Sequence, residues 1–366
     1  MDASYGNILA GARLAKGYSL EAFAARIRVP VAQWQEFESG SPSVSTAAVT
    51  RAALALGIDP DRIDQASTAD PALAFNYSGV PDFFHADVAE IRGRLARAGT
   101  YRFVLDLLSR RGRLDDQEPQ PASVPAYVQG YALARAVRAA LGEPIDPLLD
   151  LKAILEREAG VVVSTHRFIA KSVRGVTAKE PAARAAAVVV AWPATVHDRL
   201  LRRVDLAHEL AHVLFDAATA PTDIWIDTEE APATLIEQRA RAFAAELLLP
   251  LSAIEAQLGP KPATELSAYG ARSTAEVLMR VYRATPDIIA NHLTNHGYLA
   301  RGDRESLAAM LTELPVAPCT EDFRTDALFT AVREAVEKNL MSQARALELL
   351  GLSVHEMATL HSALPA

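Results

Sequence analysis

The segment DLAHELAHVLFD, residues 205–216, has residue types and a spacing that could bind a metal ion and hydrolyse a peptide bond. His208 and His212 are four positions apart, so on a helix both imidazoles project from one face and can bind one zinc ion. Glu209 is next to the first histidine, a placement that suits a general base toward a metal-activated water. The alternative is a pair of histidines with ordinary contacts on an amphipathic helix. Apolar neighbours favour the metal site, because they predict a helix held rigidly in a core.

A tetrahedral catalytic zinc site needs a third protein ligand and leaves one position for water. The segment IEQRARAFAAELLLP offers Glu237 and Glu246, which are nine positions apart. Because nine residues are half a turn out of phase on a helix, only one of them can face the metal, and Glu237 is the predicted ligand. The alternative for Glu237 is a solvated helix residue. Asp216, four residues after His212, is a candidate for orienting a ligand through its other ring nitrogen, or else simply ends the helix.

The elements that must position these residues are mostly helices. Short β-branched runs, GVVVST and AAVVVAW, with RFIAKSVRGVTA as an intermediate strand, predict a small sheet. From Tyr127 the segments YVQGYALARAVRAAL and LLDLKAILEREAG are predicted as helical. Helices are also predicted over 203–216, 233–249, 273–283, 285–296, 304–313, 325–338, 341–350 and 353–363. The predicted fold class is mainly α with a small β-sheet (α+β).

The first sixty residues predict a separate helical module with four short helices between residues 6 and 57. Gln33 and Gln35 are its candidate DNA contacts, because they are the residues of its third helix able to read base edges. Residues 1–60 hold five Arg and Lys against five Asp and Glu, so the module is neutral. A neutral monomeric module should bind DNA weakly, which favours a protein-interaction role slightly over sequence-specific DNA binding.

Two segments carry resemblances to known families. RRVDLAHELAHVLFD followed by IEQRARAFAAELLLP resembles the ImmA/IrrE family of metallopeptidases, and the likeness covers roughly residues 127–300. The resemblance implies a gluzincin-like domain with Zn2+ on His208, His212 and Glu237 and with Glu209 as the catalytic glutamate. Characterised members are narrow-specificity peptidases that cut a helix-turn-helix repressor. LAGARLAKGYSLEAFAARIRVPVAQWQEFESG resembles the Xre-type helix-turn-helix domain, a known companion of this peptidase.

Neither resemblance identifies the group that stabilises the oxyanion, for which Tyr298, His296 and Arg241 are the candidates. The predicted organisation is a helix-turn-helix domain at 1–64, a helical connector and linker at 65–125, a peptidase domain at 126–300 and a helical C-terminal region at 301–366. The last of these is similar to the tail of fusions encoded beside toxin genes. It is expected either to cap the peptidase core or to dock a partner.

Composition limits the remaining choices. A single cysteine, Cys319, excludes a disulfide framework and a cysteine-based zinc cluster, and the expected location is the cytoplasm. The sequence contains no run of 18 apolar residues, so no membrane span is predicted. The net charge of −8 gives no overall attraction to nucleic acid. The arginine-rich stretch from Arg92 to Arg113 could bind an acidic partner, but it is better explained by pairing with acidic parts of the same chain.

The sequence therefore predicts a zinc-dependent endopeptidase with a regulatory role, whose substrate is a specific repressor-like protein. The alternative is a transcriptional regulator or antitoxin that binds DNA or a toxin and uses the peptidase fold as a scaffold. A homodimer is a candidate assembly in either case. The complete set of two histidines and two glutamates favours the enzyme, because a scaffold does not need all four.

Overall fold

The structure is a computed structural model of the 366-residue chain. It describes residues 4–15, 18–41, 43–56, 58, 60, 73–77, 85–115, 124–169, 171–193, 195–216, 222–228, 234–315 and 322–353.

Four helices form the N-terminal module. They are α1 (Ser4–Ala15), α2 (Leu20–Arg26), α3 (Val31–Glu38) and α4 (Thr46–Leu56). Ser19 starts α2, because its hydroxyl accepts a hydrogen bond from the Ala22 N–H at 3.1 Å and so satisfies an amide of the open first turn. Phe23, Trp34 and Phe37 pack in the module's own core, with ring centroids 5.0 to 5.7 Å apart.

A mixed five-stranded sheet lies beyond this module. Its strands are β1 (Leu73–Tyr77), β2 (Val162–His166), β3 (Val173–Glu180), β4 (Ala185–Ala191) and β5 (Thr222–Thr228). Their order is β1-β5-β3-β4-β2. The central strand β3 is antiparallel to both β4 and β5, whereas the edge strands β1 and β2 pair parallel to their neighbours.

Eleven further helices among the described residues surround the sheet. They are α5 (His85–Leu107), α6 (Ala126–Leu141), α7 (Leu151–Glu158), α8 (Val196–Phe215), α9 (Leu235–Leu248), α10 (Leu251–Leu258), α11 (Ala268–Tyr282), α12 (Pro286–Asn295), α13 (Arg304–Thr312), α14 (Ala327–Glu337) and α15 (Gln343–Leu350). The largest apolar core lies between the helices α6 through α13 and one face of the sheet. A second core joins the other face to α5, α14 and α15. The predicted class, mainly α with a small sheet, is confirmed.

The sequence prediction differs from the structure at three elements. The segment TDIWIDT was not predicted as a strand but forms β5, and LAFNY forms β1 inside a stretch predicted as mostly helical. Both are short strands stabilised by long-range pairing, which local periodicity does not show. Pro250 was predicted only to stop a helix, but it also precedes α10, since proline is compatible with a helix start. The helix predicted at 353–363 lies almost wholly outside the described residues.

The arginine-rich stretch pairs with acidic residues of other elements. On and just after α5, Arg97 pairs with Asp326 at the start of α14, and Arg110 Nη2 lies 2.7 Å from Glu334 Oε1 on α14. Arg102 and Arg113 pair with Asp115 and Glu158 at 3.0 Å. These contacts support the intrachain explanation of the stretch. Among the described helices, none is long and apolar enough to cross a membrane.

Candidate metal centre

Helices α8 and α9 bring the predicted ligands together. His208 and His212 lie one turn apart on the buried face of α8, which packs against β3 and β4. Helix α9 begins after Thr234, whose hydroxyl accepts a hydrogen bond from the Glu237 N–H at 3.2 Å. This cap fixes Glu237 in the first turn, where the positive end of the helix favours a carboxylate.

The three side chains converge on one point. His208 Nε2 lies 3.0 Å from His212 Nε2 and 3.1 Å from Glu237 Oε2, and His212 Nε2 lies 3.7 Å from Glu237 Oε1. Ligands about 2.0–2.1 Å from a tetrahedral zinc ion are roughly 3.3 Å from each other. The observed separations bracket that value, and all three residues are buried.

The bonding of these atoms also fits a divalent cation. Two imidazole nitrogens face each other, which places two lone pairs or two N–H groups in opposition unless they share a proton. Glu237 Oε2 is buried and faces His208 Nε2 at 3.1 Å, without a well-aligned hydrogen bond in the described part of the chain. A cation bound by all three side chains would satisfy each of these atoms. The residues present therefore fit the ion that the sequence predicts.

Glu209 is held beside this point by strand β3. Its Oε2 accepts a hydrogen bond from the Thr177 hydroxyl at 2.6 Å, while Oε1 is buried without a hydrogen-bond partner among the described residues. A Cβ atom on Gly175 would lie only 2.3 Å from Oε1, so a larger residue here would force the Glu209 carboxylate or the strand to shift. The sequence reasoning did not single out Gly175 and Thr177. A glycine inside a strand is the signal that could have found them, because it marks a close approach.

Burial and neighbouring charges set the proton affinities of the site. Burial works to lower the pKa of His208, but Glu237, Asp227 and Glu209 raise it to about 9. Burial and the adjacent His208 lower the pKa of His212 to about 3. Burial, with Asp227 and Glu237 nearby, raises the pKa of Glu209 to about 8. Of the two imidazoles, His208 thus binds a proton more readily, because it lies next to the Glu237 carboxylate.

Asp216 contacts the far side of His212. Its Oδ2 lies 2.5 Å from His212 Nδ1, which leaves Nε2 to face the shared point. Arg239 of α9 pairs with Asp216, and Lys179 of β3 donates to the Asp216 carbonyl at 2.6 Å. The aspartate therefore stands where an orienting carboxylate should stand. Arg239 and Lys179 are further contacts that the sequence reasoning missed.

A cavity of about 530 Å³ opens beside His208. Its wall includes Asp205 of α8, Asp227 of β5 and Arg241 of α9 close to the candidate ligands. Farther along, Tyr131 of α6 and Asn295 of α12 line it. A groove of this size, with both apolar and charged walls, can accept several side chains of an extended peptide.

The three oxyanion candidates and Glu246 do not all lie together in the structure. Of the three oxyanion candidates, Arg241 lines the cavity, whereas the Tyr298 hydroxyl donates to the Gly259 carbonyl at 2.9 Å. His296 lies with Glu246 and His292 in a separate cluster. Glu246 thus does not approach the His208 site, in agreement with the helical phase argument.

The two candidate DNA contacts differ in their surroundings. Gln35 is exposed on α3. Gln33 is partly buried, its side-chain amide donates to the Ser43 carbonyl, and the Ser43 hydroxyl donates to the Gln33 carbonyl at 2.9 Å. The Gln33 side chain therefore braces the loop after α3, a role that competes with base contact. Whether either residue touches DNA stays a prediction.

Comparisons with known families agree with this architecture. Residues 156–294 match the peptidase M78 model, described as an IrrE N-terminal-like domain, and residues 4–66 match a helix-turn-helix domain model. The class of protein is thus a helix-turn-helix module joined to an M78-type peptidase domain, and the predicted ImmA/IrrE resemblance is confirmed. No curated protein gives a significant match. The matched peptidase segment contains both candidate-ligand helices, α8 and α9.

Proposed function

We propose that this chain is a zinc-dependent endopeptidase that hydrolyses one or a few regulatory proteins in the cytoplasm. The observation that carries the proposal is the convergence of His208, His212 and Glu237 beside a buried glutamate with an unpaired oxygen. The M78 match supports a metallopeptidase, and the helix-turn-helix match supports a regulatory setting.

In this mechanism the scissile peptide lies in the cavity beside His208. A zinc ion, when bound, polarises the scissile carbonyl and acidifies a water molecule. Glu209 takes a proton from the attacking water at Oε1 and returns it to the leaving amine as the C–N bond breaks. The Thr177 hydroxyl holds Oε2, which leaves Oε1, beside Gly175 and without a hydrogen-bond partner among the described residues, as the oxygen that takes this proton. Arg241 supplies a positive charge toward the developing oxyanion from the cavity wall.

The presence of the N-terminal module supports our proposal that the substrate is a repressor-like protein or a toxin. Leu54 of α4 packs in the same core as Ile224 and Ile226 of β5, so the module is in direct contact with the peptidase sheet. A protein bound to the module would be delivered close to the cavity. We expect the module to recruit the substrate, and a homodimer would present two such surfaces.

The test compares protein termini in cells that express the wild type or Glu209→Gln. The substitution keeps the size of the side chain and removes the proton acceptor. We expect new protein N-termini with the wild type that are absent with the variant. Purified wild type should then cut a peptide spanning each cleavage point, and a chelator should stop it. Identical termini in both strains, under conditions where both proteins bind zinc, would contradict the proposal.

The second candidate is a DNA-binding regulator, which the helix-turn-helix match favours. The neutral charge of residues 1–60 and the engaged Gln33 weigh against it. Selection of random duplexes on the purified protein distinguishes the two. Enrichment of one sequence, lost in Gln35→Ala, would favour the regulator. No enrichment, together with Glu209-dependent cleavage, would favour the peptidase alone.

A further inference from the structure

A second group of metal-ligating side chains lies at the other end of α9. Glu246 in the last turn of α9 faces His292 and His296 at the end of α12. One ligand atom from each lies within 4.8 Å of the other two, and Glu246 and His292 are buried. Glu246 and Glu237 are nine residues apart on the helix, or about 13 Å along its axis. This distance is too long for a two-metal centre, whose ions lie about 4 Å apart.

The distances leave room for one ion. Glu246 Oε2 lies 3.0 Å from His292 Nε2 and 4.0 Å from His296 Nε2. Ligands bound at about 2.1 Å in adjacent positions are roughly 3.0–3.4 Å apart. A small rotation of the partly exposed His296 ring would complete that geometry.

Each of the two histidines has a ring nitrogen that no hydrogen bond in the described structure uses. His296 Nε2 is buried and has no hydrogen-bond partner in the described structure, and the same holds for His292 Nδ1. The two rings meet edge to face with centroids 4.5 Å apart. A neutral imidazole with an unused lone pair is the form that binds a metal.

Glu246 is oriented by its other oxygen. Oε1 lies 3.3 Å from Arg135 Nη1 and accepts from the Leu251 N–H at 3.4 Å, which leaves Oε2 to the histidines. Tyr131 packs on both imidazoles, with centroids 5.3 Å and 5.1 Å away. The carboxylate is thus fixed, and an aromatic wall holds the rings.

From this arrangement we infer that Glu246, His292 and His296 form a second site for a divalent transition metal such as zinc. Two imidazoles and one carboxylate are a donor set that such ions favour over magnesium or calcium. The ion ties α9, which also carries Glu237, to α12. Its role is to hold the end of the groove formed by Tyr131 and Asn295.

Cobalt titration tests this site without relying on peptidase activity. The background is His208→Asn with His212→Asn, which disables the first site and keeps the second. Chelator-treated background protein is titrated with Co2+, and the visible absorption of the bound ion is recorded. We expect one equivalent to bind. Adding His296→Asn should weaken binding at least tenfold, whereas the matched control Thr294→Ala on the same helix should leave it unchanged.

Arg135→Ala should change the Co2+ affinity in the opposite direction to His296→Asn. Removing the guanidinium beside Glu246 takes away a positive charge that opposes the ion, while the Leu251 N–H still holds Oε1, so Co2+ affinity should rise roughly threefold to tenfold. A simple histidine–carboxylate pair without metal binding predicts no Co2+ signal in any of these variants.

The results separate this site from the proposed function. A background protein that is folded by circular dichroism but binds no Co2+ would overturn the second site, whatever the wild type binds. Binding that persists in both His296→Asn and Glu246→Gln would overturn it as well. One equivalent bound by the background, lost on His296→Asn, would support it even if the wild type cleaved nothing.

Discussion

At the scale of single residues, the candidate site depends on small side chains as much as on the candidate ligands. Gly175 gives Glu209 the space that a methyl group would take, and Thr177 binds the other oxygen of the same carboxylate. Both are on β3, two positions apart, and both point toward α8. A strand with this pattern holds a buried carboxylate in one orientation, which is what a general base requires.

Gly175→Ala tests the close approach of β3 and Glu209. The added methyl would lie 2.3 Å from Oε1 and 3.0 Å from Cδ, so the Glu209 carboxylate, the strand or the helix must shift. We expect the free energy of unfolding to fall by roughly 1–3 kcal/mol, measured by urea denaturation. Gly93→Ala is the matched control, since its methyl meets nothing within 4 Å on helix α5, and it should be neutral or slightly stabilising. Equal effects of the two changes would refute the close-approach argument.

Thr177→Val tests the hydrogen bond to Glu209. The change keeps the side-chain shape and removes the hydroxyl that contacts Oε2 at 2.6 Å. We expect kcat on a cleaved peptide to fall roughly tenfold, equivalent to about 1.4 kcal/mol, while zinc content stays unchanged. Thr177→Ser should retain most of the activity. A loss of zinc in Thr177→Val would show that the hydroxyl supports the fold of the site instead.

At the scale of elements, local periodicity predicted much of the fold because the helices are amphipathic and capped. The candidate-ligand helices α8 and α9 are at their predicted places, although α8 begins at Val196, seven residues before the predicted start at 203. The sheet was harder to predict. Strands β2, β3 and β4 follow one another and have β-branched residues, whereas β1 and β5 pair across more than 140 positions.

In the candidate site, too, the features set by helical periodicity could be predicted and those set by long-range packing could not. Helical phase separates Glu237 from Glu246, and the structure places them in different clusters as that phase requires. Their roles as ligands stay predictions. The glycine within β3 could have indicated a close approach, but the residue that β3 contacts could not be predicted, because the register between a strand and a distant helix depends on tertiary packing. This applies to the contacts of Gly175, Thr177 and Lys179.

The packing of α7 makes a prediction about pH. Glu156 is buried with Lys152, whose Nζ lies 2.7 Å from Glu156 Oε1, and the backbone carbonyl of Glu156 accepts from the Tyr101 hydroxyl at 3.0 Å. Burial raises the pKa of Glu156 to about 7, although Lys152 works to lower it, and Asp326 adds to the rise. Between the ordinary pKa near 4.5 and about 7 the folded state binds more protons than the unfolded state. Stability therefore falls as pH rises through this window.

Glu156→Gln should remove that contribution. Relative to the variant, the wild type should lose on the order of 1–3 kcal/mol of unfolding free energy between pH 4.5 and pH 7.5. Urea denaturation of both proteins across this range measures the difference. A difference that is constant with pH, or that grows in favour of the wild type as pH rises, would contradict the assigned direction.

At the scale of the whole molecule, the helix-turn-helix module and the peptidase sheet share one apolar core. Leu54 of α4 belongs to the same buried apolar cluster as Ile224 and Ile226 of β5, and β1 contacts α4 while it extends the sheet at β5. The module is thus connected through β1 to strand β5, whose Asp227 lines the cavity. This contact gives a physical route by which a partner on the module could influence the site.

Leu54→Ala should uncouple the module from the sheet. We expect a loss of roughly 2–4 kcal/mol from the shared core and faster release of the N-terminal module by limited proteolysis. Leu56→Ala is the control, because among the described residues Leu56 belongs to the module's own core and not to the core shared with the sheet. It should destabilise the module without opening the contact with the sheet. Equal release of the module from both variants would show that Leu54 does not join the two parts.

The most direct measurement is anomalous X-ray scattering at the zinc absorption edge, from crystals of the wild type grown with Zn2+. The account predicts a zinc peak about 2.0–2.2 Å from His208 Nε2, His212 Nε2 and a Glu237 oxygen. The same peak should be absent from crystals of Glu237→Ala or strongly reduced in them. A map from zinc-containing wild-type crystals with no peak between these three side chains would contradict the metal centre, and with it the peptidase mechanism.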